Sequence, residues 1–232
     1  MKLAVLQPGY MPDLPLFALW SVADVVLLAD DLQYSTRSNL NRTRIKTATG
    51  VQWLTVPVLS KGRVGQTIAE VEIDPYHEWR QRHWRTLQVN YTPAPFWGRY
   101  ENALEEIYRR PWSQLLGLNV ALLNMLVREL ELPSFKGFTS SMPTRPDRTE
   151  KVLDLLEAFE CHTYLVLPRE YPLLSTQVLH RAHKEVYTVQ VKHPVYHQLF
   201  GSFEPGLSVL DALMNEGPEA AILVRQSATM SS

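Results

Sequence analysis

The chain has 232 residues, 45% of them hydrophobic and 20% charged, with a formal net charge of −1. That supports a core of ordinary size and argues against bulk nucleic-acid binding or a polybasic membrane anchor. Cys161 is the one cysteine, the run MKLAVLQPGY is too short for a signal peptide, and no apolar run approaches the roughly 20 residues of a membrane span, so the expectation is a cytoplasmic protein without disulfide or transmembrane segment.

Residues 2–6 are apolar and β-branched enough to form a first buried strand. QPGYMP (7–12) follows as a loop, because two prolines and a glycine break any regular element. Leu14, Phe17, Ala18 and Val22 have helical spacing, and 24–29 reads as a second strand. Strand, loop, helix, strand is the order of a parallel βαβ unit. Ligands bind outside the carboxyl ends of such strands, where the 7–12 loop and the pair Asp30 and Asp31 fall. QWLTVPV (52–58) reads as a strand, and alternating IAEVEI (68–73) is its expected hairpin partner across Lys61, Gly62, Arg63 and Gly65. A helix is expected over 76–90, with Trp79, His83 and Leu87 one turn apart, ended by Pro93 and Pro95. Two more follow near 101–109 and 112–131, the second strongly amphipathic. Residues 133–148 form a loop with Pro133, Pro143 and Pro146, and Asp147 can cap a helix over 148–159. Strands are expected at 163–167 and 186–191, and a helix at 207–215, capped by Ser208 with Asp211 as its N3 partner and stopped by Gly217 and Pro218. Residues 227–232 are expected to fray. The sum is one α/β domain over 1–232: a mostly parallel sheet with flanking helices, a β-hairpin and a mainly helical insertion at about 76–132.

The stretch after the acidic pair, LQYSTRSNLNRTRIK, has no acid and carries Arg37, Arg42, Arg44 and Lys46. In extended chain Arg42, Arg44 and Lys46 point the same way, about 6.8 Å apart. That spacing suits a diphosphate, and arginine binds phosphate bidentately. An edge strand that uses cations to block aggregation explains the pattern equally well. Gln33, Asn39 and Asn41 suit hydrogen bonds to a sugar or amide, or turns. Neighbouring strand residues face opposite ways, so one of Asp30 and Asp31 is expected to face a ligand, and the other to cap a turn or brace an arginine.

QPGYMP, DDLQY, NRTRIK, QWLTVPV, WRQRHWRTLQVNYTPAPFWGRY and HPVYHQLFGSFEPGLSVLDALMNEG occur in that order between residue 7 and about residue 217. Together they resemble the motifs of the WbqC-like protein family. The resemblance implies a role in bacterial surface-polysaccharide (O-antigen, lipopolysaccharide) biosynthesis, with a glycyl or other small acyl group transferred to a sugar. The chain departs from the family pattern in three places. Leu6 stands where a His usually precedes Gln-Pro, and Asp13 stands where a Trp is common. Val166-Leu167-Pro168-Arg169-Glu170 replaces a glycine-rich stretch. With His absent from position 6, His83 in the matched helical motif is the candidate replacement base, although a packed or solvent-facing role is the commoner reading of any single histidine.

The 7–12 loop has the position of a phosphate-binding turn but one glycine is too few to cradle a phosphate by backbone N–H groups, and no His-x-x-His of a nucleotidylyltransferase is present. No metal site is expected, since His180-x-x-His183 and His193-x-x-x-His197 have no cysteine nearby. No Gly-x-Ser-x-Gly elbow occurs, which disfavours a serine hydrolase. The sequence names no cofactor. The candidates are Asp30, Asp31 and His83 for catalysis. For substrate binding they are Gln7, Tyr10, Gln33, Asn41, Arg42, Arg44, Lys46, Trp53, Tyr196 and Gln198. The expected partners are a small-molecule phosphorylated donor and a sugar acceptor. A nucleotide- or sugar-binding protein without turnover, and a nucleotidylyltransferase-like enzyme, are the alternatives.

Overall fold

The computed structural model describes residues 1–36 and 38–231, so Arg37 lies outside the described residues. The elements run β1 (Lys2–Leu6), α1 (Leu14–Ser21), β2 (Val25–Leu28), β3 (Arg42–Thr47), β4 (Gly50–Thr55), α2 (Trp79–Tyr91), α3 (Trp97–Arg109), α4 (Leu115–Glu129), α5 (Arg148–Ala158), β5 (Thr163–Val166), α6 (Thr176–Arg181), β6 (Glu185–Val191), α7 (Val209–Glu216), α8 (Glu219–Ser227) and β7 (Ala228–Ser231).

A five-stranded sheet has the order β2-β1-β5-β6-β7. The first three pairings are parallel and β7 is antiparallel to β6. The apolar runs of β1, β2 and β5 are largely buried on both faces, as the middle of a parallel sheet requires. Alternation sorts them. Leu3, Val25, Leu27, Tyr164, Val166 and Val186 face Val152, Leu155 and Leu156 of α5 and Leu179 of α6. Ala4, Leu6, Val26, Leu28, Leu165 and Val189 face the larger core formed with α1, α4, α7 and α8. Each fully buried Leu or Val contributes about 1.5–3 kcal/mol. The α1 sequence LPLFALWS is apolar nearly all round because the helix is enclosed, with Phe17, Ala18, Leu19 and Trp20 buried.

The helices α2 to α4 follow their apolar spacing. Trp79, His83, Leu87 and Tyr91 form the buried stripe of α2. In α4 the stripe is Leu115, Leu118, Leu122 and Leu126, with Asn119 set into it. Asp147 caps α5 by accepting hydrogen bonds from the Thr149 and Glu150 amides.

Two expectations are corrected. The hairpin joins β3 to β4, with Arg44 opposite Trp53. Residues 68–70 instead form a 3-10 turn, and Val58 and Ile73 meet in an isolated bridge. Gly217 and Pro218 end α7 as expected, and Pro218 stands at the amino end of α8, where proline is tolerated. The tail expected to fray forms β7, whose backbone pairs along β6 from Val191 to Thr188.

Candidate functional site

Strand β1 sits between β2 and β5, so the chain leaves it to one side first and to the other side much later. This is a topological switch point, where the loops beyond the carboxyl ends of adjacent strands diverge and leave a crevice. Gln7 is exposed at the end of β1, and Pro168 and Arg169 are exposed beyond β5.

The 7–12 loop is held from below. Asn119 donates through Nδ2 to the carbonyls of Pro8 and Leu40, both at 2.8 Å, and the Tyr10 amide donates to Leu40 as well. Met11 takes a left-handed φ of 41°, which turns the chain into α1. Pro12 accepts from the Val209 amide and Arg44 accepts from the Ser208 amide, so loop, hairpin and α7 meet here. Asp13 stands at the amino end of α1 without capping it. Burial pushes its carboxyl above the ordinary range, while Arg169, its own backbone N–H, His193 and Arg44 draw it back. Among the described residues no cation is within ion-pair distance of Asp13. The Gly206 amide donates to His193 Nε2 at 3.2 Å, and His193 Nδ1 lies 3.2 Å from the Pro194 carbonyl.

The outer face of the hairpin carries Arg42, Arg44 and Lys46, as alternation requires, opposite Thr55, Trp53 and Val51. Their environments differ. Lys46 is 3% exposed, and its Nζ donates to Gln198 Oε1 at 3.1 Å and to the Ser202 carbonyl. Arg44 donates through Nε and Nη2 to the Gly206 carbonyl and through Nη2 to Pro205. Gly206 has φ +70°, and a Cβ there would overlap Arg44 Nη2, so glycine is what admits this approach. The Arg42 guanidinium lies 4.7 Å from the centre of the Trp53 ring, and that of Arg44 lies 5.9 Å away.

The remaining candidates are placed as follows. Asp30 accepts from the amide and hydroxyl of Ser140, at 3.0 and 2.6 Å. Asp31 accepts from Thr139 at 2.6 Å and from Lys151. Both aspartates therefore hold the turn at Thr139–Ser141. Burial works against the Asp31 carboxylate, but hydrogen bonds from Lys151 and Thr139 outweigh it and keep its pKa below the usual value. His83 is buried, and its Nδ1 meets the Tyr10 hydroxyl at 2.8 Å. Burial lowers its pKa to about 4, only partly offset by the Thr55 backbone. Tyr10 also meets Tyr108 and points into the core, away from the crevice. Asn41 is buried and donates to the Val56 carbonyl. Gln33 is exposed, and its backbone bridges to Thr67.

Tyr196 and Gln198 belong to a buried polar cluster. Tyr91 and Tyr196 donate to Asp211 at 2.8 and 2.9 Å. Gln198 accepts from Lys46 and from the Glu204 amide, and donates to the Glu204 carbonyl. Burial raises the Asp211 carboxyl, and the two tyrosine hydroxyls and Lys46 draw it down. Sequence reasoning passed over Asn119 and gave Asp211 only a capping role. The signal available was a polar residue inside an apolar helical stripe. Arg169, Asp13 and His193 carried no such signal, because only the folded sheet edge brings them together. A groove of about 400 Å³ between α3 and α4, lined by Glu106, Arg110 and Arg128 among others, contains none of these residues.

The sequence matches the WbqC-like protein family over residues 7–222. The chain belongs to the WbqC-like family. An uncharacterized protein of Mycobacterium tuberculosis (strain ATCC 25618 / H37Rv), Rv1507c, is 33% identical over 226 residues, covering 97% of each chain. No solved structure matches significantly. In this WbqC-like chain Leu6 is buried in the larger core, Asp13 stands at the amino end of α1, and Arg169 is exposed beyond β5. Among the described residues no helix is long and apolar enough to cross a membrane, and no group of three or more His, Cys, Asp or Glu is set to hold a metal ion.

Proposed function

We propose that this protein is a transferase that binds a phosphorylated donor at the carboxyl edge of its sheet and passes a small acyl group to a sugar, within surface-polysaccharide biosynthesis. The observation that carries the donor site is the switch point between β1 and β5, flanked by Arg44 and Arg169. The acyl group and the sugar rest on membership of the WbqC-like family. In such a transfer the acceptor oxygen or nitrogen attacks the acyl carbonyl. The new bond forms there, the bond to the phosphate or thiol leaving group breaks, and the acceptor proton goes to a base. Asp13 is the group we assign as base: it borders the crevice, and among the described residues it has no ion-pair partner. Arg169 and the Arg44 guanidinium would stabilise the leaving group's charge.

A second reading, binding without turnover, is favoured by the occupied state of Asp30, Asp31 and His83, each engaged inside the molecule. Thermal-shift measurements with nucleotides, nucleotide sugars, coenzyme A thioesters and glycine plus ATP, on the native chain and on Arg169→Ala, test the donor site. The expected result is stabilisation by one class of donor, reduced in Arg169→Ala. An equal shift in the variant would remove the crevice from consideration. Each stabilising donor is then incubated with sugar acceptors and the products weighed. A mass gain of the acyl group that disappears in Asp13→Asn supports the transferase. Binding without product across all pairings supports the second reading.

A further inference from the structure

Resting on the donor-site reading above, we propose that the donor carries a nucleoside diphosphate moiety, with its base stacked on Trp53 and its phosphates held by Arg42 and the Nη1 edge of Arg44. Trp53 is 45% exposed on the outer face of the hairpin, whereas Trp20, Trp79 and Trp97 are buried. An indole is the best side-chain platform for a planar π system, and two guanidiniums within 6 Å of its centre supply the matching positive charge.

The ordinary explanation for such a stack is an arginine lying along a surface tryptophan to cover it. Three observations on this hairpin go beyond that. First, Arg44 is aimed. Its Nε and Nη2 are fixed by the Pro205 and Gly206 carbonyls, and among the described residues Nη1 makes no hydrogen bond, so two N–H donors remain in a fixed orientation. An anchored guanidinium loses little entropy when it meets an anion. Second, Tyr34 is 8% exposed, and among the described residues its buried hydroxyl has no hydrogen-bond partner. The Arg42 charge reaches this hydroxyl and partly offsets the upward pull of burial on it. A buried hydroxyl left unmatched costs about 1–3 kcal/mol, and a phosphate oxygen on Arg42 would satisfy it. Third, Arg42 and Arg44 are alternate residues of one strand, about 6.8 Å apart, a separation that spans two linked phosphates. Nucleoside diphosphates, nucleotide sugars and coenzyme A thioesters share this chemistry, and all of them present a base and a diphosphate together.

Isothermal titration of the full chain with ADP, UDP, coenzyme A, adenosine and inorganic pyrophosphate tests the assignment. At least one nucleotide is expected to bind about tenfold more tightly than pyrophosphate. Trp53→Ala should bring that nucleotide to the level of pyrophosphate and leave pyrophosphate itself unchanged, while Trp53→Tyr restores most of the difference. Arg42→Ala should weaken nucleotide and pyrophosphate alike. Which nucleotide binds identifies the source, a coenzyme A thioester or a nucleotide sugar. If Trp53→Ala leaves nucleotide binding intact, or nucleotides bind no better than pyrophosphate, the base platform is wrong and the phosphorylated-donor reading stands. If neither pyrophosphate nor any nucleotide binds, both fall. Trp53 is on the surface, so unchanged melting temperatures confirm that the variants are folded.

Discussion

His83 joins two aromatic residues inside the core, and its chemistry is set by that enclosure. It meets the Tyr10 hydroxyl at 2.8 Å and the Trp79 ring edge-on, with ring centres 5.4 Å apart. Its folded pKa of about 4 lies below the ordinary 6.5, so between these values the unfolded chain binds a proton that the folded chain refuses. The stability owed to neutral His83 is therefore complete above pH 6.5 and is lost as pH falls towards 4. The pKa difference corresponds to about 3 kcal/mol. Denaturant titrations at pH 7, 5.5 and 4 should show that much acid loss in the native chain and correspondingly less in His83→Gln. Equal slopes in both would mean that another group carries the acid sensitivity. At this scale the sequence showed which side chains share a face, but not who meets them. The alternation of Arg42, Arg44 and Lys46 was readable. The hydrogen-bond partners of Arg44 and Lys46, which are Gln198, Ser202, Pro205 and Gly206, lie more than 150 positions away, beyond any local pattern.

At the scale of elements, the junction between α7 and α8 depends on one glycine. Gly217 has φ 57° and ψ −130°, a region essentially reserved for glycine. A Cβ there would come 2.5 Å from Cδ1 and Cε1 of the Phe96 ring, whose backbone N–H is bonded to the Met214 carbonyl. Backbone strain and overlap together should cost Gly217→Ala about 3 kcal/mol, or roughly 10 °C in melting temperature for a chain of this size. Differential scanning calorimetry would read it, and a shift of a degree or two would show that the junction relaxes freely. Strands β1, β2 and β5 were visible in sequence because burial on both faces leaves unbroken apolar runs. The hairpin partner was misassigned because β3 reads as a polar loop. Its inward residues Thr43, Ile45 and Thr47 include only one strong apolar signal, whereas IAEVEI alternates cleanly yet forms a turn. Polar ATMS gave no sign of β7, since an edge strand needs only backbone pairing and a partner.

For the molecule as a whole, the larger core draws on segments from both ends of the chain, from Ala4 to Val224. A fragment of residues 1–147 keeps β1 to β4 and α1 to α4 but leaves β1 unpaired where β5 should lie. It should show no cooperative thermal transition by near-ultraviolet circular dichroism and should aggregate. A sharp transition would instead reveal a unit that folds by itself. The central place of β1 also has a consequence for biosynthesis. Strand β1 is flanked on one side by a strand made at once after it and on the other by Thr163–Val166. At typical rates of 5–20 residues per second, the gap lasts on the order of ten seconds. Throughout that interval the nascent chain displays an apolar strand edge. Chaperone occupancy during translation, and sensitivity of yield to pauses before codon 163, are therefore built into the order of the strands.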